Sequence, residues 1–324
     1  MELFGSNFDD SVFSEAKDRG SVSVSSYNAK CCEPEWFCES AALDTEDSLE
    51  KQKVFKFRGD LATRQGKYQT ALDAYSSCLE WIADNNLSIK RDILEGMARC
   101  CTRLGQRDRA MGLVDLLSKE ASNTCHLTSL LLLKVTVYQH FGVVGARMSS
   151  LQELCSLLPF NPWNWYNLGK MCLQLLEHPA TSRNGLFVPE GILEEKGKDP
   201  EEQHEEFSED RLWLKACTCF IRTRLLLRIL QQQQSSFVLQ RNQNVLQTAE
   251  EAITHLNLNQ ATLLTLTEVM SEDLNPEKMR EEYQDGKSLS SVCVQSFGER
   301  WWNKILMSRV LDADGRRGPS DTKS

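Results

Sequence analysis

Catalysis requires particular residues at particular spacings. Asp285-Gly286-Lys287-Ser288 ends as a phosphate-binding loop ends, in Gly-Lys-Ser. Such a loop needs a first glycine five positions earlier so that backbone N–H groups cradle the phosphate; Glu281 stands there instead. His204-Glu205-Glu206-Phe207 begins like a zinc-protease helix but lacks the second histidine one turn on. No G-x-S-x-G nucleophile turn occurs, and the histidines at 126, 140, 178, 204 and 255 form no base-plus-orienter pattern. Cys31, Cys32 and Cys38, with the pair Cys217 and Cys219, raise the question of zinc. Structural zinc favours C-x2-4-C pairs in twos, and neighbouring thiols or a C-x-C on a helix do not aim at one centre. The residues therefore predict no catalytic group, no metal site, no cofactor and no enzyme.

The elements expected to carry any other function are helices. From Leu157 to Gly169 the chain reads Leu-Leu-Pro-Phe-Asn-Pro-Trp-Asn-Trp-Tyr-Asn-Leu-Gly. Pro159 stops one helix, because proline has no N–H to continue it, and Pro162 suits the first turn of the next. Trp165 and Leu168 lie one turn apart on a shared face, and Gly169 lets a neighbouring helix come close. Upstream, Gly59, Gly66, Tyr68, Ala71 and Tyr75 mark a first helix over about 52–64 and a second over about 67–81. Gly105 and Ala110 repeat the turn and the small crossing position, and Pro159 closes the next unit. The fourth unit breaks after residue 176, and Ala216 and Phe220 bring its second helix back over 211–230. Arg147 stands where a small residue is expected.

These letters, at a 34-residue period, resemble the tetratricopeptide repeat. The resemblance covers about 52–175 and 211–230. It implies an all-α, right-handed α-solenoid over residues 51–232 whose first helices line a groove for a peptide or protein. Exposed first-helix positions such as Lys56, Arg64 and Asn167 are the groove candidates. The heat-shock co-chaperone subclass clamps a terminal carboxylate with Lys and Asn. Here Lys56 matches the lysine, but Asp60 replaces the asparagine and would repel the carboxylate. By the same register Gly96, Ser129 and Leu133 replace the later clamp groups. The whole chain also resembles an uncharacterised vertebrate family named for open reading frame 76 of human chromosome 8. The residues that carry this are Leu3-Phe4-Gly5, Asp10-Ser11-Val12-Phe13, Cys32-Glu33-Pro34, 159–165 and 220–227. That resemblance implies a helical-repeat protein and no assigned activity.

Charge divides the chain further. Of its 324 residues, 37 are basic and 46 acidic, a net −9. Residues 1–50 hold 3 basic and 12 acidic residues, and 177–210 hold 3 and 11, while 211–245 hold 6 basic and none acidic. Residues 1–50 are read as a disordered acidic arm, 177–210 as an acidic insertion, 233–311 as a helical C-terminal cap and 312–324 as a disordered tail. Phe4, Phe8, Phe13, Trp36 and Phe37 are aromatic anchors in the arm, and Trp302 is a candidate anchor in the cap. The arm is a candidate for docking onto the basic helices of its own chain. Arg222, Arg224, Arg228 and Arg241 offer a basic face, and the alternative reading makes helix 211–228 a contact for chromatin or RNA. A pI near 5.3 and the absence of any RNA- or DNA-binding signature disfavour nucleic acid. With no apolar run of eighteen residues and no secretory signal at Met1–Gly5, the expectation is a protein of the cytoplasm and/or nucleus that binds no membrane. The partner is an unidentified protein or peptide.

Overall fold

The structure, a computed structural model, describes residues 35–83, 86–178, 208–231, 236–277, 279 and 292–307. The acidic arm up to residue 34, the insertion over 179–207, the Asp285–Ser288 stretch and the tail from residue 308 lie outside these residues. The described chain is helical and contains no strand. Its helices are α1 (Ser48–Arg64), α2 (Tyr68–Leu79), α3 (Leu87–Arg103), α4 (Arg107–Lys119), α5 (Thr124–Phe141), α6 (Val144–Leu157) and α7 (Pro162–Glu177). They continue with α8 (Glu209–Gln231), α9 (Ser236–His255), α10 (Gln260–Ser271), α11 (Val294–Phe297) and α12 (Asn303–Met307). A π-helical turn, Gly298–Trp302, joins the last two.

Local chemistry sets these boundaries. Asp47 caps α1 by accepting the Leu49 N–H at 2.8 Å, and Asn123 caps α5 by accepting that of His126 at 2.9 Å. Asn161 caps α7 with Pro162 behind it, and Asn259 caps α10. Each cap satisfies an N–H that the helix start would leave without an acceptor. Gly142 ends α5 at φ 69°, and Asn257 ends α9 at φ 51°; both are left-handed conformations that glycine and asparagine tolerate best.

From α1 to α8 each helix packs on its sequence neighbour, and α1 also touches α3, and α3 touches α5. Two apolar clusters result. The first runs from Ala62 to Val143 and includes Tyr75, Ile93, Met97 and Val114. The second runs from Leu131 to Ile305 and contains Trp165, Trp213, Phe220, Phe297, Trp301 and Trp302. Helix α5 serves both, since Leu131 belongs to the second cluster while Leu130, Leu133 and Val137 belong to the first.

The first cluster is closed by a ring between glycines. A Cβ at Gly59 would lie 2.4 Å from the Tyr75 ring and one at Gly96 3.0 Å from it, so the ring fills the space both leave. The Tyr75 hydroxyl donates to Asp60 at 2.8 Å. In the second cluster Gly169 plays the same part, bringing α7 against Cys219 and Phe220 of α8. Trp165 is fully buried, and its indole N–H donates to the Pro159 carbonyl at 2.9 Å. That bond ties the start of α7 to the turn before it.

Three expectations need correction. Residues 35–50 are not part of a disordered arm. Trp36–Cys38 and Ser40–Leu43 form 3-10 turns against α1, and α1 starts at Ser48 rather than near residue 52. Arg58 fastens them by donating to the carbonyls of Phe37 and Glu39 at 2.6 and 2.9 Å. Helix boundaries shift by a few residues elsewhere: the insertion begins after α7 reaches Glu177, and α8 starts at Glu209. The C-terminal cap, expected simply as helical, is interrupted by the π turn.

Candidate interaction surfaces

Helices α3 and α5, with the end of α4, enclose a cleft of about 90 Å³. Leu117, Ala121, Leu130 and Leu133 supply its apolar surface, while Arg91, Asp92, Glu95, His126 and Ser129 supply polar groups. Asp92, Glu95 and Ser129 reach it because residues three and four apart share a helix face. Arg99 holds Glu95 at 2.6 Å, and Ser122 and Asn123 hold both ring nitrogens of His126 at 3.1 and 3.3 Å. An engineered 150 Å³ apolar cavity holds a benzene ring, so about 90 Å³ suits one aliphatic side chain. A wider, shallow depression along α9 is lined by Gln247, Glu250, Glu251, Thr254 and His255, which converge on no common point.

The sequence-derived positions fall in several places. Ser129 and Leu133 line the cleft, whereas Gly96 lies against the Tyr75 ring. Lys56 is paired with Asp60 at 2.9 Å, so its ammonium is already engaged within α1. Arg64 and Asn167 are exposed on α1 and α7. Trp36 is 38% exposed, and its ring meets Phe37 and Phe57 edge-on at 6.0 and 6.4 Å. Sequence reasoning missed the partners of Ser129 across the cleft, Arg91 and Asp92. The signal present was their position on a first helix, one turn before Gly96.

Arg222, Arg224 and Trp302 do not offer a partner surface as expected. Arg222 is wholly buried in α8. Its guanidinium donates to the carboxylate of Asp273 and to the carbonyls of Met270 and Pro159. It also lies 5.7 Å from the rings of Phe160 and Trp165. Arg300 donates to the same Asp273 at 2.9 Å. Burial pulls the Arg222 pKa below the ordinary guanidinium value, and the Asp273 carboxylate pulls it back up. Arg224 is half-buried, with its Nη2 3.5 Å from Thr267, and Arg228 is paired with Glu250 at 2.7 Å. The basic face imagined for helix 211–228 is therefore largely consumed inside the protein. The reason is packing: α8 touches α7, α9 and α10, so nearly every side of it is covered and only Arg228 of these arginines stays exposed.

Trp302, the candidate anchor of the cap, follows Trp301 directly in the chain. Both are buried. The stretch lies between elements on two sides, so Trp301 meets Trp165 edge-on at 5.0 Å while Trp302 takes the Lys215 ammonium 4.5 Å over its ring. Among the described residues no group of three His, Cys, Asp or Glu side chains converges to hold a metal, and no helix is long and apolar enough to cross a membrane.

Two comparisons give relatives. The profile of a family described as "Family of unknown function (DUF5588)" matches residues 2–186 and 191–307. The human "Uncharacterized protein C8orf76" is 35% identical over 358 residues, covering 94% of this chain and 93% of its own length. Its rat homologue of the same name is 30% identical over 351 residues, with the same coverage of both chains.

Proposed function

The chain belongs to the family of unknown function DUF5588, and we propose that it is a protein-interaction scaffold without catalytic activity. In this reading α1–α8 are tetratricopeptide-like pairs stacked as a solenoid, with α9–α12 as its terminal cap. Stacking suits the chain because one helix pair cannot bury its own apolar face. The first helices α1, α3, α5 and α7 present a groove, and a peptide segment of the partner lies along it. The cleft between α3 and α5 carries this reading: it has an apolar floor for one aliphatic side chain and polar groups at its mouth. Such a site anchors a peptide through one buried side chain and orients it through the polar rim. The cytoplasm and/or nucleus is the proposed compartment.

A photo-crosslinking amino acid at Ser129, compared with one at the exposed Leu264 of α10, tests this. We expect Ser129 to capture a defined set of partners that Leu264 does not. Adding Arg91→Glu on the opposite wall should reduce that capture. Equal capture at both positions, or capture indifferent to Arg91→Glu, contradicts the groove reading.

A further inference from the structure

The strongest uncommitted surface lies on α7 and α9 and shares no residue with the cleft. Trp163, Tyr166, Asn167 and Lys170 fall on one face of α7, three and four residues apart. The guanidinium of Arg241, from α9, lies 4.1 Å from the Trp163 ring centre. The Trp163 and Tyr166 rings meet edge-to-face at 6.4 Å, and the Lys170 ammonium lies 5.5 Å over Tyr166. The result is a strip of cation, ring, ring, cation, with Asn167 exposed beside it and both cations exposed.

Each of these cations is held by a ring rather than by a carboxylate. Carboxylates outnumber cations in this chain, 46 to 37. Arg99, Arg228 and Lys304 each hold one within 2.8 Å. Among the described residues, neither Lys170 nor Arg241 forms an ion pair. A ring orients a cation through its quadrupole without cancelling the charge, so both side chains are held in place with their charge still available.

We infer that the Arg241–Trp163–Tyr166–Lys170 strip is a docking site for an acidic peptide segment of a partner protein. Carboxylates at the two ends of the bound segment would pair with Arg241 and Lys170, and the residues between them would lie over the two rings. Three steps of 4.1, 6.4 and 5.5 Å set an upper limit on the separation of the two cations, so the acidic residues stand at most about five positions apart in an extended peptide, at roughly 3.3 Å per residue. Two cations neutralise only two phosphates, a weak footing for nucleic acid, whose binding depends on many such contacts.

The test is fluorescence anisotropy on the full chain with a labelled peptide carrying two glutamates five positions apart. A Glu→Gln version of the peptide and a labelled oligothymidylate serve as competing probes. The glutamate probe should bind about tenfold more tightly than its glutamine version, as two exposed ion pairs imply. The double variant Lys170→Gln/Arg241→Gln should lose that preference, and Lys170→Glu/Arg241→Glu should reverse it. Both side chains are exposed, so circular dichroism should show the fold unchanged in either variant. The proposal is overturned by equal binding of both peptides or by a preference that survives charge reversal. Tighter binding of the oligothymidylate, or a wild-type dimer that charge reversal abolishes, would assign the strip to nucleic acid or to a second copy and overturn it equally.

Discussion

The cluster around Tyr75 and the cluster around Arg222 are both buried, yet they are built differently. In the first, each helix meets its neighbours in sequence, small residues mark the crossings, and one ring sits between Gly59 and Gly96. In the second, α8 is surrounded, and its core joins residues far apart in the chain: Arg222 to Asp273, Trp165 to Trp301, and the Trp213 indole to the Leu256 carbonyl at 2.9 Å. Short-range interfaces form between successive helices. Long-range ones must close large loops first, at an entropic cost that grows slowly with loop length. The N-terminal region is therefore held by contacts between successive helices, and the C-terminal one by contacts between distant parts of the chain.

The largest expected effect breaks the Arg222–Asp273 contact. Asp273→Ala removes the carboxylate from a buried guanidinium and should cost about 3 kcal/mol, because the stranded charge remains. Arg222→Met, which removes the charge itself, should cost less despite being the larger change in the core. Urea unfolding of both variants checks the order; a larger loss for Arg222→Met would mean that the arginine's packing outweighs its pairing.

Next is the crossing of α1 and α2. Gly59→Ala pushes a methyl into the Tyr75 ring and should cost about 1–3 kcal/mol. Combined with Tyr75→Leu, the two losses should fall short of their sum, since both act on one space. Strict additivity would mean the ring does not need the gap.

A pH effect acts on both regions. Burial raises the thiol of Cys172 from the ordinary 9.0 to about 12 and that of Cys78 to about 11. It raises Cys155 and Cys219 well above their ordinary value as well. Between pH 9 and those values the unfolded chain has released protons that the folded chain retains, so stability falls as pH rises. The slope is about 1.4 kcal/mol per pH unit for each such thiol. Stability contributed by these protonated thiols is fully present below pH 9, and because burial also raises Cys100 and Cys101 of the first cluster, both clusters should weaken as pH rises above it. Urea midpoints at pH 8 and pH 10, read by a probe in each region, check this.

The smallest effect is on the surface. Lys56→Ala removes a partly exposed pair within α1 and should change stability by no more than about 0.5 kcal/mol. A loss above 1 kcal/mol would show that Lys56 supports the Tyr75–Asp60 bond.

What the sequence reveals follows the same division. The all-helical class and the approximate helices from residue 52 to 176 are legible because glycine, proline and apolar spacing encode local geometry. The role of Arg222 is not: an arginine on a helix reads as a solvated face until Asp273, 51 residues away, and Met270 are brought beside it. Trp302 fails for a related reason, since consecutive tryptophans point outward in turn unless both sides of the helix are covered. Trp36 and Phe37 read as candidate partner anchors; that they meet Phe57, with Arg58 on the Phe37 carbonyl, depends on the chain folding back. The cleft escaped notice because Arg91 and Ser129 are ordinary surface residues until α3 and α5 are set side by side.

Hydrogen exchange read by mass spectrometry, on the wild type and on Asp273→Ala, tests the contrast between the two regions most directly. Protection should rise from α1 toward α7 and α8, and the variant should lose protection first in α8 and α10–α12 while α1–α4 keep theirs. Equal protection throughout the wild type, or simultaneous loss in α1–α4 and α8, would contradict it.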